Sequence, residues 1–171
     1  MTDGLMLPPG AGRVIPGAGM NLKVGAGQST AWSAFEAEVT PGFDVGAHLH
    51  RNAEELFYII DGELDLLAFE PVTRTAGDWR GWRSAAGAQV MRGGPGSAMF
   101  VPAGCPHAFA NPGTASARML FLVSPPGHED YLEEIGKQVS RGQPPDPAVI
   151  AEIRARHDIE QLTPMKVGQR R

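Results

Sequence analysis

The longest uninterrupted apolar runs in this 171-residue chain, LFYII at 56–60 and MLFLV at 119–123, are five residues each. Five residues make an ordinary strand but fewer than two turns of helix, and they fall far short of the roughly 20 needed to cross a bilayer. Comparable short stretches recur between about residue 20 and residue 124: MNLKV, TAWSAFEAEV, ELFYII, ELDLLAF, AMFVP, HAFAN and ARMLFLV. Thirteen of the 22 glycines and six of the 15 prolines fall in this span, and they read as turn formers separating strands and not as a mark of disorder. The pair Asp61–Gly62, set between two apolar runs, predicts a hairpin.

After SPPG at 124–127 the period changes. In HEDYLEEIGKQVS, Tyr131, Leu132, Ile135 and Val139 share one helical face. DPAVIAEIRARHD predicts a second helix, with Asp146 as N-cap and Pro147 at the first helical position. RGQPPDP is the loop between them, and KVGQRR is a short basic tail that reads as a solvated end. Strands in a block followed by helices predict an all-β antiparallel sandwich or barrel with a helical C-terminal annex. The expected division is an N-terminal extension over 1–19, a β-barrel over 20–124 and the annex over 125–171.

Charge and cysteine content narrow the class. A net charge of −4 argues against a nucleic-acid partner. The one cysteine, Cys105, forbids an intramolecular disulfide. The opening MTDGLMLPPGAGR has an acid and two prolines where a secretion signal would carry an apolar core. A cytoplasmic protein without a membrane partner is expected.

The chemistry concentrates in GFDVGAHLHRNAEELFYIIDG, residues 42–62. His48 and His50 are two apart, so on a strand they face one side. Glu55, Phe57 and Ile59 also share a side, but with the opposite parity. One straight strand cannot turn both sets inward, so the chain must turn or bulge between His50 and Glu55, where RNA is suited to it. Glu54, the neighbour of opposite parity, reads as solvated. A second stretch, GSAMFVPAGCPHAFAN at 96–111, adds His107, with Phe109 and Asn111 on the same face. Three imidazoles and one carboxylate suit a first-row transition metal, and they leave two of six octahedral positions open for catalysis.

The spacing of these residues resembles the cupin family. Gly42, five residues, His48-x-His50, four residues, Glu55, six residues, Gly62 is similar to the first cupin motif. Gly96, five residues, Pro102-x-Gly104, two residues, His107, three residues, Asn111 is similar to the second. The resemblance implies an antiparallel jelly-roll barrel over roughly 20–124, with both motifs at one mouth. It implies His48, His50, Glu55 and His107 as ligands of one divalent metal: iron, manganese, nickel, copper, cobalt or zinc. The C-terminal helices resemble those of single-domain bacterial cupins similar to flavonol (quercetin) dioxygenases.

By parity the substrate pocket would be lined by Phe57 and Ile59 from one strand, Met99 and Val101 from another, and Phe109 beyond His107. Met119, Phe121 and Val123 would complete it. This lining is apolar and has no inward lysine or arginine, which points to an aromatic or otherwise hydrophobic small-molecule substrate. The expected activity is that of a metal-dependent dioxygenase-type oxidoreductase acting on a small hydroxylated or enolic compound, with Glu55 as the catalytic residue. The alternative is a non-catalytic, ligand-binding or sensing cupin with a structural metal. The segment from Thr73 to Gln89, with Trp79 and Trp82, is either a lid over the mouth or a packed surface loop or dimer contact. His128 and His157 read as surface residues of the annex. A homodimer is expected, with MNLKV as one strand suited to cover a neighbour.

Overall fold

A computed structural model describes residues 3–139 and 146–166. Most of the loop before the second helix and nearly all of the basic tail lie outside the described residues.

Two antiparallel sheets face one another. The first contains β1 (Arg13–Ile15), β2 (Met20–Val24), β3 (Ser33–Val39), β5 (Glu54–Asp61), β8 (Ala98–Val101) and β10 (Ala117–Ser124), in the spatial order β1-β2-β3-β10-β5-β8. The second contains β4 (His48–His50), β6 (Leu64–Ala68), β7 (Met91–Gly93), β9 (His107–Ala110) and β11 (Ile159–Gln161), in the order β11-β4-β9-β6-β7. The expected jelly-roll barrel with its helical annex is the observed architecture.

Alternation decides which side chains enter the core. Along β5 the even positions are exposed and Glu55, Phe57 and Ile59 are buried. Along β10 it is Ala117, Met119, Phe121 and Val123 that turn inward. Phe57 and Phe121 are direct cross-strand partners, and their rings stack at 4.9 Å. Phe109 reaches Phe57 from the opposite sheet at 5.6 Å. Each such buried aromatic contributes roughly 2–3 kcal/mol of transfer free energy.

Asp61–Gly62 does not close a hairpin. β5 belongs to one sheet and β6 to the other, so this turn carries the chain across the barrel. Gly62 has a φ of +77°, and a Cβ there would meet the Ala117 Cβ at 2.7 Å. The same glycine that suits a two-residue turn thus lets a corner pack against β10.

Residues before 20 are not merely an extension, since Arg13–Ile15 pair with Met20–Leu22 and bury Ile15. The annex opens with α1 (His128–Val139), continues with α2 (Pro147–Arg156) and ends in β11. Asp146 caps α2 as expected, its carboxylate accepting from the Ala148 N–H at 2.8 Å. No helix among the described residues is long and apolar enough to cross a membrane.

The tryptophan segment is no lid. Trp79 and Trp82 are buried against Ala47, Leu67, Ala108 and Ala110, on the outer face of the five-stranded sheet. Small residues at the outward positions of β9 leave room for two indoles. The Trp79 indole also donates to Asp44 at 2.9 Å, and the Trp82 indole donates to Thr75 at 2.9 Å.

Candidate metal centre

The parity break at residues 51–53 takes a definite form. β4 and β5 lie in opposite sheets, so the chain crosses the barrel mouth between His50 and Glu55. His48 pairs directly with His107 across β4 and β9. Glu55 arrives from the facing sheet, flanked by Val101 and Val123 as its strand partners. The backbone N–H of Gly104 donates to the His50 carbonyl at 2.7 Å, tying the two sequence motifs together. Gly46, before β4, is as tightly placed: a Cβ there would meet the Thr163 carbonyl oxygen at 2.4 Å.

All four predicted residues come together, and all are buried. One ligand atom from each can be chosen so that the four lie within 4.8 Å of one another. Metal bonds of about 2.0–2.2 Å place two donors on one ion within roughly 4.4 Å of each other. A contraction of a few tenths of an ångström would therefore complete the fit. His107 Nε2 is 2.7 Å from Glu55 Oε2, and His50 Nε2 is 3.2 Å from Glu55 Oε1. These short contacts lack hydrogen-bond alignment: His50 Nε2, His107 Nε2 and Glu55 Oε2 are buried without a hydrogen-bond partner. Orphaned buried donors are costly, and three of them aimed at one point fit a cation.

The other ring nitrogens are held by backbone. His48 Nδ1 faces the Gly46 carbonyl at 2.9 Å, and His107 Nδ1 faces the Cys105 carbonyl at 3.2 Å. Donation there fixes the tautomer and leaves Nε2 as the lone-pair nitrogen. Burial, followed by repulsion from His107 and His50, drives His48 well below the usual imidazole value. Burial would raise Glu55, but His107 and His50 outweigh it and hold the carboxyl well below its ordinary range. Burial would lower His50, yet Glu55 and Asp158 raise it. The carboxylate thus draws positive charge into the cluster.

The other candidates separate clearly. Glu54 is exposed, as its parity requires. Asn111 is structural: its amide donates to the Val39 and Ala115 carbonyls, both at 2.8 Å, and its Oδ1 accepts from the Gly113 N–H. Cys105 is half-buried, and burial pushes its thiol up, away from the reactive thiolate. The apolar residues expected to line a pocket, Phe57, Ile59, Met99, Val101, Phe109, Met119, Phe121 and Val123, pack together in one core cluster, and Val123 also borders a recess.

Two recesses lie around β4. A recess of about 190 Å³ beside His50 is walled partly by Val123 and partly by the annex, through His128, Tyr131, His157 and Asp158. A larger depression of about 340 Å³ lies on the outer side of β4, at Leu49, and does not touch the tetrad. Its Arg51 and Arg74 are already paired with Glu160 and Glu70.

His128 is therefore not an ordinary surface residue. Its ring lies 5.7 Å from that of His50, 5.4 Å from Phe121 and 5.2 Å from Tyr131. Burial lowers it to about 4, which leaves it neutral over the ordinary pH range. The signal in the sequence was helical spacing: His128 is three and four residues before Tyr131 and Leu132, on the apolar face of α1. His157, also read as a surface residue, is half-buried and contacts Glu134 at 3.1 Å.

A two-sheet antiparallel barrel with three histidines and a glutamate converging at one mouth defines a β-barrel protein with a metal-type donor cluster. The chain belongs to the cupin family: the family's sequence model, described as Cupin, matches residues 9–145. No curated protein sequence matches the chain significantly. Among solved structures it is similar to a Klebsiella pneumoniae protein with a double-stranded β-helix domain, at 14% identity and a TM-score of 0.46, covering 63% of this chain and 76% of that one. It is similar to the DMSP lyase DddQ from Ruegeria pomeroyi, at 25% identity and a TM-score of 0.45, covering 61% and 45%. It is also similar to the Lactobacillus farciminis oxalate decarboxylase in its formate complex, at 19% identity and a TM-score of 0.47, covering 64% and 30%. Likeness at this level concerns the fold and does not select a reaction.

Proposed function

We propose that His48, His50, Glu55 and His107 hold one divalent transition metal, and that the chain is an oxygenase acting on a small hydroxylated or enolic aromatic compound. The observation that carries this reading is the set of buried, unpartnered donor atoms converging from two sheets. Four protein donors are fewer than the six that an octahedral ion accepts, so a substrate oxygen has room. When bound, such an ion lowers the pKa of a hydroxyl that touches it and makes the substrate anion accessible near neutral pH.

The chain's own residues supply the rest. His48 and His107 cannot take the hydroxyl proton, because Nδ1 of each donates to a backbone carbonyl and Nε2 belongs to the cluster. Glu55 has two carboxylate oxygens, so one can serve the ion while the other accepts a proton. We assign it as the catalytic base that accepts the substrate proton. Val101 and Val123, on the neighbouring strands at the same level, keep water from that carboxylate. Dioxygen is the co-substrate, and both of its atoms pass to the organic product.

The test is oxygen consumption measured in step with loss of substrate, over a panel of phenols, catechols and enolic acids, with iron, manganese, nickel or copper loaded in turn. Glu55→Gln is expected to lose about 10²-fold or more in turnover while keeping most of its metal. If no compound gives oxygen uptake with any metal, the oxygenase reading fails. A ligand-binding cupin is then preferred, provided the same compounds still raise the melting temperature.

A further inference from the structure

The recess between annex and barrel limits what the site can accept. Its volume is about 190 Å³, and His50 is the tetrad member in its wall. A cavity of about 150 Å³ holds a benzene ring, whereas drug-sized ligands take roughly 300 Å³ or more. The recess opens to solvent, and its volume matches one ring with a few substituents better than a three-ring flavonol.

Charge narrows the choice further. Among the described residues no lysine or arginine lines the recess, while Asp158 does, and Glu55 lies directly behind His50. Apart from the ion proposed behind His50, an anionic ligand would meet the Asp158 carboxylate with no lysine or arginine in the recess to pair with it.

The polar groups of the wall differ in whether they are engaged. The Asn52 amide donates to Asp158 at 3.2 Å, and His157 Nε2 contacts Glu134 at 3.1 Å. Among the described residues, no hydrogen bond engages the ring nitrogens of His128 or the hydroxyl of Tyr131, whose rings lie 5.2 Å apart and tilted at 57°. Ala53, Val123 and Pro125 add apolar surface to the same lining. Aromatic and apolar surface together with open hydrogen-bonding groups suits a hydroxylated ring.

We propose that this recess binds an uncharged single-ring phenol or enol, with its hydroxyls hydrogen-bonded to His128 and Tyr131. The assignment rests on the metal reading above only for what faces the ring beyond His50. It makes His128 and Tyr131 binding residues and turns the annex into part of the substrate site.

The experiment is isothermal titration of the zinc-loaded protein with three probes that share one dihydroxyphenyl group: catechol, 3,4-dihydroxybenzoate and quercetin. Zinc content is measured in the same samples. Catechol is expected to bind about tenfold or more tighter than either larger or charged probe. Tyr131→Phe, which removes only a hydroxyl, is expected to weaken catechol about tenfold, the worth of one well-placed hydrogen bond. His128→Ala is expected to weaken catechol and to abolish the bias against quercetin, with zinc content unchanged. No catechol binding, equal affinity for all three probes, or catechol affinity unmoved in both variants would overturn the proposal. Zinc bound without any probe preference would sink the recess and leave the metal reading standing. Probe preference and Tyr131 dependence without bound zinc would do the reverse.

Discussion

The two faces of the five-stranded sheet bury polar groups in opposite states. On the inner face, His48, His50 and His107 meet Glu55, and donor atoms are left unpartnered. On the outer face, Asp44 and Asp65 are also buried, yet every carboxylate oxygen is used. Asp44 Oδ1 accepts from the Trp79 indole and the Gly46 N–H, and its Oδ2 from Arg80. Asp65 accepts from Arg80 at 3.0 Å and from Arg92 at 2.6 Å. Burial by itself does not mark a site. A closed set of hydrogen bonds fastens a loop to a sheet, whereas a buried set left open has room for the cation we propose.

The sharpest test of this contrast is metal content. His48→Ala and His107→Ala are each expected to lower bound metal about tenfold or more, since a removed ligand leaves the ion one donor short. Arg80→Leu, on the other face, should leave metal content unchanged by elemental analysis. Undiminished metal in both histidine variants would break the contrast.

Stability should respond in the opposite way. Trp79→Ala empties a fully buried indole site and strips a donor from Asp44, at an expected cost of about 3–5 kcal/mol in denaturant unfolding. Its metal content per folded chain is expected to stay at that of the unaltered protein.

A smaller effect belongs to Glu129, which fastens the start of α1 to the barrel. Its carboxylate accepts from the Ser33 hydroxyl at 2.6 Å, the Ala26 N–H at 2.7 Å and the Gly127 N–H at 3.1 Å. Burial would raise this carboxyl, but those donors together lower it below its ordinary value. A folded pKa below the unfolded one means that the unfolded chain binds the extra proton. The stabilisation is therefore complete above about pH 5 and is lost as pH falls through the lowered value. Glu129→Gln is expected to cost about 1–2 kcal/mol at pH 7 and to show a shallower loss of stability in acid, read by urea unfolding at a series of pH values.

The smallest effect on stability comes from the outer face of the six-stranded sheet, where Leu56, Tyr58, Ile60 and Phe100 are exposed side by side on β5 and β8. We propose this apolar face, next to the open edge of β8, as the contact of a homodimer. Tyr58→Lys with Phe100→Lys should change unfolding free energy by less than about 0.5 kcal/mol per site, while light scattering shows the mass falling from dimer to monomer. A protein already monomeric at micromolar concentration removes the idea.

Much of this was legible in sequence because it rests on period and spacing. The parity of Glu55 against His48 and His50 required a turn at 51–53, and the strands over MNLKV and ELFYII fall where alternation places them. What escaped was decided by long-range geometry. Asp61–Gly62 has the composition of a hairpin turn, and only the partner of the next strand, β9, makes it a corner between sheets. Trp79 and Trp82 could cap a mouth or pad a sheet; the small side chains Ala108 and Ala110, more than 25 residues later, decided it. The eight apolar residues expected at a pocket follow the same parity rule as any barrel core, so parity cannot separate the two. The His128 ring was hidden because the helix pattern was read for its apolar members alone.

The strand that carries two of the ligands also depends on a distant partner. β4 is three residues long, and on one side it is bonded to β11, with His50 opposite Ile159 and His48 opposite Gln161. That partner follows over a hundred residues later, after both helices. Pairing of such separation forms late in folding, because the closure entropy of a long loop must be met before the contact stabilises anything. The barrel can collapse on its aromatic core while the ligand strand still lacks one of its two neighbours. On the proposed metal reading, competence to hold an ion is expected to arrive last, with uptake after refolding lagging behind burial of the core and reporting that the whole topology has closed.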